Sequence, residues 1–154
     1  MLINDTQKKI KDKFPSLAVE IVGSALVVPK SSLLEVATFL KNELSFENCH
    51  SVTAVDRKDK MEAVYHLYST SNHIMLTLKV ILPMDDLTVE SLYLLWPSAN
   101  WLERETFDFF GIKFLHHPDL RRIMNPDEWT DYPLRKDFKR DDFIPRPQST
   151  GLKG

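Results

Sequence analysis

Ile74-Met75-Leu76-Thr77-Leu78-Lys79-Val80-Ile81-Leu82 is the stretch on which the fold turns. Ile74, Leu76, Leu78, Val80 and Leu82 recur at every second position while Thr77 and Lys79 fall between them, so an extended strand here has one apolar face. Working outward, residues 61–69 and 49–55 are two further strand candidates, separated by the polar turns Thr70 to Asn72 and Asp56 to Lys60. Together the three predict a meander. Upstream, Leu33, Val36, Ala37, Leu40 and Leu44 lie on one helical stripe, with Ser31 or Ser32 placed to cap it. Before that helix, Leu17, Val19 and Ile21 alternate with Ala18, Glu20 and Val22. Gly23-Ser24 and the run Ala25 to Val28 then complete a β-hairpin that stops at Pro29. Residues 6–14 carry Ile10 and Phe14 at i,i+4 among lysines, the pattern of a short surface helix ended by Pro15. The expected fold class is α+β: a two-layer domain with a mixed sheet of about five strands and helices on one side.

After Leu82 the pattern changes. Pro83-Met84-Asp85-Asp86 ends the strand, and the apolar segment Leu92 to Trp96 leads to Pro97. Ser98 is placed to cap a helix running to about Phe110, with Gly111 as its left-handed stop. Pro118, Pro126, Pro133, Pro145 and Pro147 then limit later helices to a turn or two, and Asn125-Pro126-Asp127-Glu128 reads as one such start. An extended proline-rich tail is expected from Pro133, dividing the chain into a domain over residues 1–132 and a tail over 133–154 that docks on a partner.

Several chemistries are excluded or disfavoured. The chain has 154 residues and a net charge of −2, enough for one core and without a field that would recruit nucleic acid. Its apolar runs fall short of the roughly 20 residues of a membrane-spanning helix, so membrane contact is expected to be indirect. The N-terminus lacks the basic-then-apolar order of a secretory signal and reads as intracellular. Glycines at 23, 111, 151 and 154 permit neither a dinucleotide fingerprint nor a phosphate loop. The single cysteine, Cys49, cannot hold an iron–sulfur cluster alone, and Cys49 and His50 on a strand point to opposite faces. His116 and His117 have no partners at zinc-finger spacing. Glu103, Glu105 and Asp108 share one helix with Arg104, which can pair with Asp108 at i,i+4. A hydrolase using Glu103 and Glu105 would need one of them in a concave pocket with a raised pKa, and neither is expected to meet that condition. The tail mixes six basic with three acidic residues among Leu134, Phe138, Phe143 and Ile144, a composition that suits wrapping a protein or binding single-stranded RNA. Its alternating acids weaken the RNA reading.

Residues 103–124 contain Glu-Arg-Glu-Thr-Phe-Asp-Phe-Phe, then His117, Pro118-Asp119-Leu120, Arg121, Arg122, Ile123 and Met124. This resembles the ERE…D…H…R signature of the respiratory complex I 30 kDa subunit family, whose bacterial members are the C-type subunits of NADH-quinone oxidoreductases. The resemblance extends to Leu95 upstream and through Pro133-Leu134-Arg135-Lys136-Asp137-Phe138 downstream, covering about residues 92–138. Asp131-Tyr132 departs from it, since glycine is common nearby in the family. The resemblance implies a scaffold subunit without bound cofactor, packed in the peripheral arm against a large hydrogenase-like D-type subunit on the cytoplasmic side of the bacterial membrane. FMN, iron–sulfur clusters and quinone would then sit in other subunits. It further implies structural and interface roles for Glu103, Arg104, Glu105, Asp108, Gly111, His117, Pro118, Asp119, Arg121, Arg122, Pro133, Leu134, Arg135, Lys136 and Asp137, with no catalytic residue among them. Arg121, Arg122 and Arg135 are expected to form bidentate pairs with Glu103 and Glu105 or with acids of the partner. Related subunits of photosynthetic NDH complexes and energy-converting hydrogenases are the alternative assemblies.

Overall fold

The alternation beginning at Ile74 becomes strand β5 (Ile74–Pro83), the middle of a sheet in a computed structural model that describes residues 3–139. Strands β3 (Asn48–Asp56) and β4 (Lys60–Ser69) join it in an antiparallel meander. The hairpin forms from β1 (Glu20–Val22) and β2 (Ala25–Val28), and β2 lies parallel to β5 with Leu26 opposite Leu78 and Val28 opposite Val80. Parallel pairing needs a crossover, and the chain from β2 to β5 supplies it through a 3₁₀ turn (Lys30–Ser32), helix α2 (Leu33–Asn42), β3 and β4. The result is one mixed sheet ordered β1-β2-β5-β4-β3.

Its inner face carries Leu76, Leu78, Val80 and Leu82 beside Met61, Ala63, Tyr65 and Leu67, all buried. Leu33, Val36, Ala37 and Leu40 of α2 join the same core, as does Ile10 of α1 (Ile3–Lys13). Met75 and Ile81, on the alternate positions of β5, are 54% and 43% exposed, so the helices cover one face only.

Where the chain departs from its local signals, tertiary contacts account for the difference. Ser32 and Ser98 occupy the expected N-cap positions without making a side-chain cap. The Ser98 hydroxyl donates instead to the Cys49 carbonyl of β3, 2.9 Å away, fastening the start of α3 (Ala99–Phe110) to the sheet's edge strand. Two short strands had no sequence signal: β6 (Thr88–Glu90) and β7 (Lys113–Leu115) pair in parallel on either side of α3. Three residues are too few to show an alternation, and each strand exists because α3 carries the chain back beside the other. Asn125-Pro126-Asp127-Glu128 does not start a helix: the Trp129 amide closes a single turn on the Pro126 carbonyl. Residues 133–137 form turns instead of an extended segment, and the Leu134 amide bonds the Phe109 carbonyl at 3.2 Å. Residues 140–154 of the expected tail lie outside the described residues.

Gly111 ends α3 in the left-handed conformation at φ +76°, as its sequence position suggests. A β-carbon there would lie 2.5 Å from a guanidinium nitrogen of Arg135 and 2.7 Å from the Tyr132 ring. Gly111→Ala is therefore expected to cost about 2–4 kcal/mol, backbone strain plus displacement of the packed side chains. Chemical denaturation measures this, and a change below about 0.5 kcal/mol, an ordinary surface effect, would show that the close packing is not required.

Candidate functional site at helix α3 and the loop that wraps it

Helix α3 brings the charged signature together. Asp108 is fully buried, and each carboxylate oxygen is used more than once. Oδ2 accepts the successive backbone amides of Ile123, Met124 and Asn125 at 3.1, 2.7 and 3.0 Å. Oδ1 accepts Arg122 at 2.8 Å and the Asn125 side-chain amide at 2.9 Å. Burial opposes ionisation, but Arg122 and the amide donors outweigh it and hold the carboxyl well below the usual carboxylate range. Arg122 also donates to the carbonyls of Asp108 and Asp131. The loop after β7 is thus tied around the helix by one carboxylate and one guanidinium.

The expected ion pairs are redistributed. Arg104 does not pair with Asp108; it bonds the Arg121 carbonyl at 3.2 Å, approaches Asp119 at 3.8 Å and lies over the Trp101 ring at 4.8 Å. Arg121 pairs with Asp119 at 2.9 Å. Arg135 donates to the Phe110 carbonyl, 2.6 Å away at the end of α3, and stacks on Tyr132, whose ring Arg122 also approaches. Among the described residues, none of Arg121, Arg122 and Arg135 pairs with Glu103 or Glu105. Spacing along the chain could not show this, because Asp108 and Arg122 are separated by a loop whose path depends on the Asp108 contacts themselves. Asn125 and Tyr132 were likewise missed, being ordinary loop residues by composition. Lys136 contributes its backbone amide, which caps Asp56 of β3 at 2.8 Å. Asp137 and Lys139 help line a surface hollow with Tyr132 and Phe138, and Pro118 sits exposed between His117 and Asp119.

Glu103 points the other way, into the core. It is fully buried and accepts the Ser91 hydroxyl at 2.5 Å and the Leu92 amide at 2.7 Å, both neutral donors. Burial raises its pKa to about 7 against those two bonds. The neighbouring Cys49 thiol is pushed up to about 12 by burial and by the Glu103 charge. Tyr65 is raised for the same reasons, and its buried hydroxyl has no hydrogen-bond partner among the described residues. His117 Nε2 lies 3.1 Å from the Asn100 carbonyl and 4.0 Å from Glu103, while Nδ1 accepts the Asp119 amide at 3.0 Å. An Nδ1 that accepts is unprotonated, so the ring is the neutral Nε2–H tautomer, in keeping with a pKa lowered mainly by burial. His116 turns outward to Glu90.

The two halves of the hydrolase test fall on different residues. Glu103 has the raised pKa but is sealed in the core, whereas Glu105 borders an open cleft of about 140 Å³ between α3 and β3. At i,i+2 the two side chains face opposite sides of the helix and cannot act on one substrate. Among the described residues no group of three or more His, Cys, Asp or Glu is placed to hold a metal, and no helix is long and apolar enough to cross a membrane.

Fold and site together define a small α+β packing module whose charged residues hold one helix and one loop in a fixed relation. Residues 26–143 match the model of the respiratory-chain NADH dehydrogenase 30 kDa subunit, and the chain belongs to that family. It is 41% identical to the C-type subunit of NADH-quinone oxidoreductase from Geobacter sulfurreducens, covering 84% of this chain and 85% of the relative. Its counterpart from Moorella thermoacetica is 43% identical over 86% and 92% of the two chains. The C-type subunit of F(420)H(2) dehydrogenase from Methanosarcina mazei is 41% identical over 73% of each. Among solved structures, a chain of the membrane-bound sulfane sulfur reductase, an archaeal respiratory membrane complex, aligns with a TM-score of 0.74 at 27% identity, covering 89% of this chain and 85% of that one. A trypsin-resistant fragment of Nqo5 aligns over its full length and 78% of this chain with a TM-score of 0.65 at 27% identity.

Proposed function

We propose that the chain is a non-catalytic scaffold subunit in the peripheral arm of a proton-translocating NADH:quinone oxidoreductase. In this reading it packs against the large hydrogenase-like D-type subunit on the cytoplasmic side of the membrane, while FMN, iron–sulfur clusters and quinone are held by other subunits. The observation that carries the reading is where the signature residues go: Arg104, Asp108, His117, Arg121 and Arg122 are occupied with internal partners that brace α3 and its loop. Such bracing gives a large assembly a rigid face of fixed geometry. The identities of 41–43% to NADH-quinone oxidoreductase subunits and 41% to an F(420)H(2) dehydrogenase subunit leave a second assembly of the same type, with another electron donor, as the competing reading.

Mild-detergent purification of the tagged chain from its native membranes tests both. Recovery with a large hydrogenase-like subunit and NADH:quinone reductase activity supports the proposal; recovery with the same partner but without NADH oxidation selects the second reading, and recovery of the chain alone refutes both. Deleting residues 139–154 is expected to leave the domain folded, since the Leu134, Arg135 and Lys136 contacts remain. Partner recovery should fall about tenfold or more, equivalent to roughly 1.4 kcal/mol of binding. A truncated chain that unfolds would assign the tail an intramolecular role.

A further inference from the structure

Glu105 is the acid of the Glu103 to Asp108 run that α3 turns to solvent. Among the described residues it has no ion pair, in contrast to Asp108 and Asp119. It lies midway along an apolar stripe, since exposed Trp101 and half-buried Phe109 occupy the positions i−4 and i+4. Trp101 is 63% exposed and Leu134, beyond Phe109, is 54% exposed. Beside the stripe runs the cleft of about 140 Å³, bounded by Glu105, Leu102, Phe109 and Leu134 on one side and by Ser51 and Thr53 of β3 on the other. β3 is an edge strand, and Ser98 before α3 and Thr106 within it reach the Cys49 and Val52 carbonyls, so the cleft's two walls are fastened together.

Resting on the scaffold reading above, we infer that this cleft receives a single arginine or lysine side chain from a partner polypeptide, with Glu105 as its counter-ion. The cleft is sized for one long side chain. The apolar side formed by Leu102, Phe109 and Leu134 fits the methylene stem, and the lone carboxylate, with the Ser51 and Thr53 side chains opposite, fits the charged head, a division of surface that long basic side chains use when they dock. An acid left exposed inside an apolar stripe gains most from a cation that reaches it as water is excluded. Trp101 and Leu134 flank the site as exposed apolar contact area, and a tryptophan beside an incoming arginine pairs two residue types enriched at interface centres.

The test uses the full chain in its native membranes, with Glu105→Arg, Glu105→Gln and a benzophenone photo-crosslinker at position 101. Glu105→Arg is expected to lower recovery of partner subunits at least tenfold and Glu105→Gln several-fold. The melting temperature of each purified variant should stay within about 2 °C of the parent, because an exposed charge without an internal partner contributes little to stability. Crosslinking should capture a partner peptide containing arginine or lysine, and reversing that residue to glutamate should restore assembly with Glu105→Arg. Undiminished recovery of Glu105→Arg, a crosslink only to another copy of this chain, or a large drop in melting temperature would each overturn the inference. If the parent chain itself recovers no partner, the scaffold reading fails; if it recovers one that Glu105→Arg also retains, only the cleft assignment fails.

Discussion

Replacing Asp108 with alanine is expected to destabilise the domain by about 3–5 kcal/mol, the loss typical of leaving a buried charge without its partner. The substitution removes the acceptor for three backbone amides, the Asn125 side chain and the Arg122 guanidinium at once. Arg122, whose side chain is only 6% exposed, would then keep two carbonyls and the Tyr132 ring but no counter-ion among the described residues. Asp108→Asn retains two acceptor lone pairs and should lie between alanine and the parent. Urea denaturation gives the comparison, and faster proteolysis within residues 119–125 should accompany it. A loss below about 1 kcal/mol, no more than one ordinary hydrogen bond, would mean that the loop is held by something other than Asp108. Because the folded-state pKa is depressed below the ordinary 3.8, this contribution is present above that value and fades as the pH falls through the folded one.

Glu103 works in the opposite sense. Its pKa is raised from 4.5 to about 7, so between those values the folded chain keeps a proton that the unfolded chain has lost. The folded state binds more protons there, and its stability declines as pH rises across that window. With about 1.4 kcal/mol per pKa unit, the Glu103 contribution falls on the order of 3 kcal/mol between acid and mildly alkaline solution. His117 offsets part of this in the parent, since a lowered histidine pKa makes stability rise with pH. The informative quantity is therefore the difference from Glu103→Gln, which can accept the Leu92 amide and donate to the Ser91 hydroxyl while remaining neutral. Relative to the parent, Glu103→Gln should gain on the order of 3 kcal/mol between pH 4.5 and pH 8. Parallel stability curves for the two proteins would show that Glu103 does not titrate in this range.

These two acids mark the limit of what a linear reading can reach. Glu103, Glu105 and Asp108 are equivalent by residue type and sit within six positions, yet one is buried beside neutral donors, one faces water and one anchors a loop. Their assignment to separate faces follows from helical geometry, but the contents of each face come from distant segments. Ser91 and Leu92 reach Glu103 from the turn after β6, and residues 122–125 reach Asp108 from beyond β7. The internal pairings expected with Glu103 and Glu105 failed for the same reason: Arg122 was available to any acid, and the fold selected the one next to its loop.

The alternation at Ile74 to Leu82, the helical stripe of α2 and the Gly111 stop were enough to specify an α+β sheet, and the charged signature that follows Trp101 was enough to specify the family. Period and turn chemistry are local properties, set by backbone geometry within a few residues, and so they are legible along the chain. The parallel pairing of β6 with β7, the use of Ser98 as a strand clasp, the burial of Glu103, the anchoring of residues 122–125 on Asp108 and the turn of residues 133–137 back onto α3 emerge only from long-range packing. Each of those depends on desolvation and on donors brought from far along the chain, and both quantities exist only once the chain has closed on itself.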